Sequence, residues 1–192
     1  MVDLLRHRHS VWLGLVIALC TAPAGARTVQ SDALLSGSLP PTARFELGFS
    51  PGGSAEAVVL RAIGGARESI LVAAYSFTSR TIAKALVNAQ HRGVKVFVLA
   101  DSRQNSKAYS AVQYLANQGV AVRVIDRFDA FHHKFLVLDQ RHVELGSFNY
   151  SAAATRNAEN AMLLWGVPEI AERYTAEWRT LWDQGVPVQA AY

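Results

Sequence analysis

Short apolar segments alternate with longer amphipathic segments along much of this chain of 192 residues, and that alternation strongly constrains its fold. The apolar segments predict strands at residues 44–49, 69–77, 94–100 and 120–125. The amphipathic segments between them predict helices at residues 54–66, 81–91 and 106–118. Strands that alternate with helices in this way form a sheet with helices on both faces. A chain of this length supplies one domain with a sizeable core.

The alternation changes after residue 125, where two apolar segments flank a short turn at residues 139–141. Such a pair predicts an antiparallel hairpin, so the sheet should be mixed. A last strand is predicted at residues 161–165, followed by a helix at 168–183 that begins with a proline. Residues 27–43 form an extended lead-in. The predicted fold is therefore α/β, with a mixed β-sheet sandwiched between helices in a single domain over residues 44–192.

The first 26 residues differ from the rest of the chain. Arg6 and Arg8 give a basic start, residues 11–19 are apolar, and a small-residue A-x-A site ends at Ala26. This pattern predicts a secretory signal peptide that is cleaved after Ala26. A retained membrane anchor is the alternative, but the apolar run is shorter than the roughly 20 residues that a spanning helix needs. The mature protein is expected in the periplasm or outside the cell, without stable membrane insertion.

The only cysteine, Cys20, lies within this N-terminal segment. A lipid anchor on Cys20 is a second interpretation, although Leu19 stands where a lipoprotein site has a small residue. Removal of the segment leaves a mature chain with neither disulfides nor a thiol nucleophile. The formal net charge of +4 is compatible with a polyanionic substrate, but many exported proteins are as basic and bind nothing anionic.

A short signature, H-x-K-x4-D-x6-G-S-x-N, concentrates the chemically reactive residue types. Its members are His132, Lys134, Asp139, Gly146, Ser147 and Asn149. Because side chains alternate across a strand, His132 and Lys134 should share one face, whereas His133 lies on the other. Ser147 and Asn149 share a face by the same rule. Two neighbouring strand ends are therefore predicted to present an imidazole, an ammonium group, a hydroxyl and an amide to one place.

This signature resembles the HKD motif of the phospholipase D superfamily, and the chain resembles the small bacterial endonucleases of that superfamily that carry a single HKD motif. The resemblance extends over about residues 45–182 and includes the segments 49–53, 69–79, 83–86, 92–94 and 157–160. It implies the same α/β/α sandwich. It also implies a metal-independent phosphodiesterase without a cofactor, in which His132 forms a covalent phosphohistidine.

The resemblance also implies roles for the other signature residues. Lys134 and Asn149 would hold the phosphate oxygens, and Ser147 would form a hydrogen bond within the same cradle. Glu159 would accept a hydrogen bond from one nitrogen of His132, which fixes the tautomer whose other nitrogen attacks.

A metal site made of His132, His133 and Asp139 is not expected, because the two imidazoles point to opposite faces of a strand. No metal or cofactor is predicted. Asp139 belongs to the motif and is kept as a catalytic candidate. Its place at the far end of the strand nevertheless favours a structural carboxylate that accepts local hydrogen bonds.

One HKD motif supplies one histidine, but the two-step displacement needs both a nucleophile and an opposing general acid. The chain has no second H-x-K, so the resemblance implies a homodimer with a shared active site. The leading hypothesis is a sequence-nonspecific endonuclease that cuts DNA, with RNA as a further substrate. The alternatives are a phospholipase D that hydrolyses phospholipid head groups, and an inactive nucleic-acid-binding or scaffold protein.

A polar loop at residues 101–109 follows an apolar strand and is predicted to form the rim of the cleft. Its cations, Arg103 and Lys107, have two interpretations. They contact the backbone of a nucleic acid, or they lie in a solvated loop without a ligand.

Overall fold

The computed structural model describes residues 34–107 and 110–191. The predicted signal peptide, its cleavage site at Ala26 and much of the lead-in lie outside the described residues. The elements in the described part of the chain are, in order, β1 (Arg44–Ser50), α1 (Ser54–Gly65), β2 (Ser69–Ala74), α2 (Arg80–His91), β3 (Lys95–Asp101), α3 (Ala111–Asn117), β4 (Ala121–Ile125), β5 (Lys134–Leu138), β6 (His142–Gly146), β7 (Glu159–Trp165), α4 (Pro168–Trp182) and β8 (Val186–Pro187).

The strands form one mixed sheet in the order β1-β7-β6-β5-β2-β3-β4-β8. Strands β2, β3 and β4 run parallel to one another, as expected of strands joined through helices. Strand β5 pairs antiparallel with both β2 and β6. The turn between β5 and β6 holds Asp139 and Gln140 at φ values of 53° and 54°, a left-handed conformation that Asp adopts more readily than most residues. The predicted mixed sheet and hairpin are confirmed.

Helices lie on both faces of the sheet. Apolar residues of α1, α2 and α3 pack with one face in a large core cluster, and those of α4 pack with the opposite face in a second cluster. Trp178 of α4 is buried, and its indole N–H donates a hydrogen bond to the Val72 carbonyl at 2.9 Å. The α/β/α sandwich predicted from the sequence is confirmed. Within residues 34–107 and 110–191, every helix is too short or too polar to cross a membrane.

The elements differ from the prediction most at β2, α3 and β8. Strand β2 ends at Ala74 rather than at residue 77, because the chain leaves the sheet there and Phe77 instead forms an isolated parallel bridge with Tyr150. Helix α3 begins at Ala111 rather than at residue 106, since Ser110 caps it by accepting a hydrogen bond from Val112 N. Strand β8 was not predicted, and its proline is typical of an edge strand.

Among the described residues, no helix covers one part of the sheet. The side chains of Phe45, Leu47 and Phe49 in edge strand β1 are 70%, 45% and 57% exposed. They alternate with Gly48 and Ser50, which are buried on the α1 side, so the three exposed side chains lie on the α4 side of the sheet. Helix α4 covers the middle strands and leaves this apolar row of β1 open to solvent.

Candidate active site

The signature side chains converge at one edge of the sheet, where β5 begins and β6 ends. Lys134, the first residue of β5, pairs with Ala74, the last residue of β2. An open cavity of about 470 Å³ lies there, and its lining consists of His132, Lys134, Gly146, Ser147, Asn149 and Glu159. Five of the six predicted catalytic residues therefore face one cavity, the catalytic pocket, and Asp139 does not.

His132 and Lys134 are in direct contact at the mouth of the pocket. The Lys134 ammonium group donates to the His132 carbonyl at 2.9 Å and lies 3.2 Å from His132 Nδ1. Both side chains pack against Tyr75: the imidazole ring is 4.4 Å from the phenol ring, and Lys134 Nζ is 4.9 Å from its centre. Burial lowers the pKa of Lys134, an effect that the carboxylate of Glu159 opposes. The pocket thus holds an imidazole beside a partly desolvated cation.

Close packing of β6 against β7 determines the position of the next signature residues. A Cβ atom on Gly146 would lie 2.2 Å from the Asn160 carbonyl oxygen, so only glycine fits at this point. Ser147 Oγ accepts hydrogen bonds from Asn160 N at 3.1 Å and Nδ2 at 3.4 Å. Since its oxygen already accepts, the Ser147 hydroxyl is left to donate its proton to a ligand. A phosphate oxygen is a suitable acceptor for this donor.

The amide of Asn149 lies at the pocket wall. Among the described residues, its buried Oδ1 atom has no hydrogen-bond partner. Nδ2 of the same amide carries two N–H donors, and Asn149 lines the pocket. Donors from Lys134, Ser147 and Asn149 around one cavity suit an anion with several oxygens.

A buried polar pair, Glu144 and Tyr150, flanks the segment 146–149 that carries Ser147 and Asn149. Tyr150 O–H donates a hydrogen bond of 2.7 Å to Glu144 Oε2, and each residue is 1% exposed. Burial raises the pKa of Glu144 to about 8, although the Tyr150 hydrogen bond acts in the opposite direction. Burial beside Glu144 also raises the pKa of Tyr150. The pair joins the residues on either side of the 146–149 segment and so braces the part of the chain that carries Ser147 and Asn149.

The predicted hydrogen bond between Glu159 and His132 is not formed in the described structure. Glu159 Oε1 instead accepts a hydrogen bond from Asn157 Nδ2 at 3.1 Å, while His132 Nδ1 faces Lys134. Glu159 thus lies at the pocket with Asn157 as its partner, and a hydrogen bond from His132 to Glu159 stays a prediction. In this arrangement the ammonium group of Lys134, two residues further along the chain, lies beside Nδ1 of the imidazole.

Asp139 lies at the opposite end of β5, roughly 16 Å from Lys134 by the rise of an extended strand. Its carboxylate accepts hydrogen bonds from the backbone N–H groups of Arg67, Glu68 and Ser69 at 2.7 to 3.2 Å. These bonds join the β5–β6 turn to the start of β2. The structure therefore gives Asp139 the structural role that its position favoured, and it contributes no group to the catalytic pocket.

The neighbouring histidine and the loop cations lie outside the catalytic pocket. His133 packs between the rings of Phe131 and Phe135, each 5.4 Å away, in an adjoining cavity on the α4 side, and burial lowers its pKa. Arg103 donates a hydrogen bond to a loop carbonyl, and Lys107 is exposed. Their contact with nucleic acid stays a prediction.

Two residues of the site were not singled out by sequence reasoning. Tyr75 packs on both His132 and Lys134, and Asn160 anchors Ser147. The signal for Tyr75 was its position immediately after the central strand β2. Its contact with His132 depends on the pairing of β2 with β5, which local patterning does not specify.

A family model for the PLD-like domain of cardiolipin synthase matches residues 59–182, which is more than half of the chain. The chain belongs to the phospholipase D superfamily. The matched region contains all the side chains of the catalytic pocket.

Curated members of the superfamily resemble this chain at moderate identity. A phospholipase D of Rickettsia conorii is 35% identical over 131 residues, which cover 68% of this chain and 65% of that protein. Human mitochondrial cardiolipin hydrolase is 28% identical over 145 residues, or 76% of this chain and 58% of that protein. The chain thus spans slightly less than two thirds of the length of these relatives.

Two solved structures of the superfamily match along nearly their whole length. A phospholipase D family member from Salmonella typhimurium, Nuc, is 42% identical with a TM-score of 0.76, and the match covers 77% of this chain and 99% of Nuc. NucT from Helicobacter pylori is 25% identical with a TM-score of 0.70, and the match covers 76% of this chain and 99% of NucT. The fold described above is the one that these proteins share.

Proposed function

We propose that this chain is a phosphodiesterase of the phospholipase D superfamily that acts as a sequence-nonspecific endonuclease on DNA, with RNA as a further substrate. The convergence of His132, Lys134, Ser147 and Asn149 on one open pocket carries the proposal. Two observations support a nuclease over other superfamily activities. The chain matches Nuc along 99% of that protein, and its sequence resembles the small endonucleases of the superfamily that carry a single HKD motif.

The pocket suits a two-step displacement. In the first step an imidazole nitrogen of His132 attacks phosphorus, and the bond from phosphorus to the leaving oxygen breaks with its electron pair. The leaving oxygen takes a proton from a second imidazole. In the second step a water molecule gives a proton to that imidazole and attacks phosphorus, and the phosphorus–nitrogen bond breaks to restore His132. Donors from Lys134, Ser147 and Asn149 stabilise the phosphate oxygens in both steps.

Attack through Nε2 requires a proton on Nδ1, and therefore an acceptor for that proton. In the resting arrangement Nδ1 lies 3.2 Å from the Lys134 ammonium group, which is a donor. We propose that substrate draws Lys134 onto the phosphate, after which His132 turns its Nδ1–H toward Glu159 across the pocket. Catalytic hydrogen bonds of this kind often form only in the complex with substrate.

The second imidazole is proposed to come from another copy of the chain. The row of Phe45, Leu47 and Phe49 supports such a homodimer, because exposed apolar patches mark interaction surfaces. This row continues toward the site: Leu47 pairs with Met162, which pairs with Leu145, the residue before Gly146. A two-fold axis beside this surface would bring the two His132 side chains together.

A charge within the apolar row tests the dimer. Leu47→Glu is expected to give a folded monomer in sedimentation and to lose at least a hundredfold in activity. The control is Val186→Glu, which places the same charge on an exposed apolar residue at the opposite edge of the sheet. A fully active Leu47→Glu monomer would remove the shared site from the proposal.

A phospholipase D is the second candidate function. Its support is the 35% identity to the Rickettsia conorii phospholipase D, and a pocket that binds a phosphodiester has no intrinsic preference for nucleic acid over lipid. The third candidate, an inactive binding or scaffold protein, is disfavoured by the presence of all the pocket side chains.

The deciding experiment incubates the purified protein with supercoiled plasmid in EDTA and, in parallel, with phosphatidylcholine vesicles. The two adjacent histidines supply a matched pair of variants, His132→Ala and His133→Ala. Plasmid cutting that persists in EDTA, disappears in His132→Ala and survives in His133→Ala is the expected result. Choline release with intact plasmid would transfer the assignment to phospholipase D, and inactivity in both assays would favour the binding protein.

We also propose that the protein is exported, from the basic and apolar pattern of residues 1–26. The test is fractionation of expressing cells with N-terminal sequencing of the recovered protein. A mature protein that begins at Arg27 in the periplasm or medium is expected. An uncleaved protein in the cytosol would contradict the proposal.

A further inference from the structure

A second pocket of about 340 Å³ lies beside the catalytic one, between α2 and α3. It is lined by Thr78, Arg80, Ala83, Lys84, Ser110, Ala111 and Tyr114, and we call it the α2–α3 pocket. None of these residues lines the catalytic pocket. The mechanism proposed above therefore leaves this second pocket without a role.

The backbone connects the two pockets directly. Thr78 N donates a hydrogen bond to the Tyr150 carbonyl at 3.0 Å, and Thr78 Oγ1 accepts one from Ala152 N at 3.2 Å. Tyr150 follows Asn149 of the catalytic pocket. From these bonds and the 3.8 Å step between neighbouring Cα atoms, the two pockets are roughly 10 Å apart. Successive phosphates of one nucleic-acid strand recur at intervals shorter than this distance, so a single strand can reach both pockets.

The chemistry of the α2–α3 pocket suits a nucleotide. Arg80 and Lys84 are both exposed and lie one helical turn apart on α2, so their charges face the same side. Within residues 34–107 and 110–191, neither cation forms a salt bridge. Tyr114 is 39% exposed and offers an aromatic face on which a base can stack. Two cations and one aromatic side chain match the phosphate and the base of one nucleotide.

We propose that the α2–α3 pocket binds a nucleotide of the same strand whose scissile phosphodiester occupies the catalytic pocket. Arg80 and Lys84 hold its phosphate, and Tyr114 stacks on its base. This inference rests on the proposed nuclease function, and it names a feature that separates the two candidate substrates. A nucleic acid carries a row of phosphates that reaches both pockets, whereas phosphatidylcholine, the lipid of the parallel assay, carries a single diester. Lys107, whose carbonyl accepts a hydrogen bond from Ser110 N at 2.9 Å, lies near enough to join the same strand.

The test measures binding of a fluorescent single-stranded 20-mer to the His132→Ala protein at several salt concentrations. The double substitution Arg80→Gln/Lys84→Gln is expected to weaken binding about 10- to 30-fold at 0.1 M salt. The slope of log affinity against log salt should become shallower by about 0.7, since the two side chains hold one phosphate and each single-strand phosphate contact contributes about 0.7. Tyr114→Leu should weaken binding about fivefold or more without changing the slope, because it removes stacking alone.

The matched control is Arg67→Gln/Lys95→Gln, which removes the same charge from two exposed side chains. They lie at the opposite ends of the strands from the pockets, where β2 and β3 begin. It is expected to leave the salt slope unchanged. An unchanged slope in Arg80→Gln/Lys84→Gln, or an equal change in the control, would overturn the inference.

Hydrolysis of bis(p-nitrophenyl) phosphate separates this inference from the proposed function. This small diester occupies the catalytic pocket alone, so Arg80→Gln/Lys84→Gln in the otherwise native chain should retain its kcat/KM within about twofold. A large loss there would show that the substitutions disturb the catalytic pocket, and it would contradict a separate nucleotide site. If the native chain cuts plasmid and the double variant binds like the parent, the inference alone fails. If the native chain neither binds nor cuts nucleic acid, the proposed function fails with it.

Discussion

The two ends of strand β5 carry residues of the same short signature, and they differ in almost every physical respect. At the first end, Lys134 contacts an exposed imidazole at the edge of an open pocket, and burial lowers the pKa of its ammonium group. At the other end, the Asp139 carboxylate accepts hydrogen bonds from three successive backbone N–H groups. The Lys134 end leaves hydrogen-bond donors available to a ligand, whereas the carboxylate at the Asp139 end is already hydrogen-bonded within the fold.

This difference shows that the HKD signature, although it is one motif in the sequence, consists of two parts with separate roles. Asp139 holds the β5–β6 turn against the start of β2, and this holds β5 in register with the strand that carries Tyr75 at its far end. The structural end therefore supports the chemical end through the rigidity of the sheet. Substitutions at the two ends should separate activity from stability.

The largest effect is expected at the chemical end. Lys134→Met should lower kcat/KM about a thousandfold, because one charged donor to the phosphate is lost from the pocket. The melting temperature should change by no more than about 2 °C, since the side chain is only half-buried and the methionine keeps its apolar stem. Plasmid-cutting rates and a thermal melt on the same protein check both expectations. A large fall in melting temperature would assign Lys134 a structural role and weaken the comparison.

The structural end should respond in the opposite way. Asp139→Ala should lower the free energy of unfolding by about 3 kcal/mol, because three backbone N–H groups lose a charged acceptor and alanine tolerates positive φ poorly. Asp139→Asn should cost less, since asparagine keeps one acceptor and adopts the left-handed conformation readily. Denaturant unfolding measures both variants. Activity per folded molecule should remain within about twofold of the parent at low temperature, and a hundredfold loss there would place Asp139 in the chemistry.

The buried Glu144 beneath the chemical end should make stability depend on pH. Its pKa of about 8 in the folded chain lies above the usual 4.5, so the folded state holds the extra proton between these values. Stability should therefore fall as the pH rises from about 4.5 to about 8. Between pH 6 and pH 8.5 we expect a loss of roughly 2 to 3 kcal/mol.

Glu144→Gln imitates the protonated acid and keeps an acceptor for Tyr150 O–H, so this loss should largely disappear in the variant. Unfolding curves of both proteins at the two pH values provide the measurement. Parallel pH dependence in the parent and the variant would show that Glu144 is not the titrating group.

The smallest effect is expected at Glu159, whose carboxylate lies in the pocket but binds Asn157 in the resting structure. If it holds the Nδ1 proton of His132 during attack, Glu159→Gln should lower kcat about tenfold with KM nearly unchanged. Asn157→Ala, which removes only the resting partner, is the control and should reduce kcat less than Glu159→Gln. A rise in KM with unchanged kcat would make Glu159 a substrate-binding residue instead.

Much of the fold could be predicted because it depends on local patterns. The apolar strands β3 and β4, the capped helix α2 and the β5–β6 turn each carry their own signal in short stretches of chain. The exceptions have physical causes. Residues 75–77 have the alternating pattern of a strand, but the chain leaves the sheet there and Phe77 forms a bridge with Tyr150, a contact across more than 70 positions of the chain. Strand β8 depends entirely on pairing with β4.

The candidate site divides in the same way. Alternation of side chains through residues 132–134, where β5 begins, was sufficient to separate His132 from His133, because that inference needs only the spacing of residues in the sequence. The hydrogen-bond partner of Glu159 could not be predicted from residue spacing, because it depends on whether Asn157 or His132 lies closer after folding. In the structure, Glu159 accepts from Asn157, while Nδ1 of His132 contacts Lys134. Tyr75 was missed for a related reason, since it reaches the pocket only through the pairing of β2 with β5.

The sequence by itself determined the order of the elements, the mixed sheet between helices and the set of reactive side chains, since all of these follow from periodicity and residue type within short windows. Only the tertiary structure decided which signature residues share a pocket, that Asp139 binds three backbone N–H groups at the other end of the strand, and that a second cationic pocket lies next to the first. These facts depend on strand pairing and packing between residues distant in the chain, because the side chains meet only after the backbone groups of the sheet have paired.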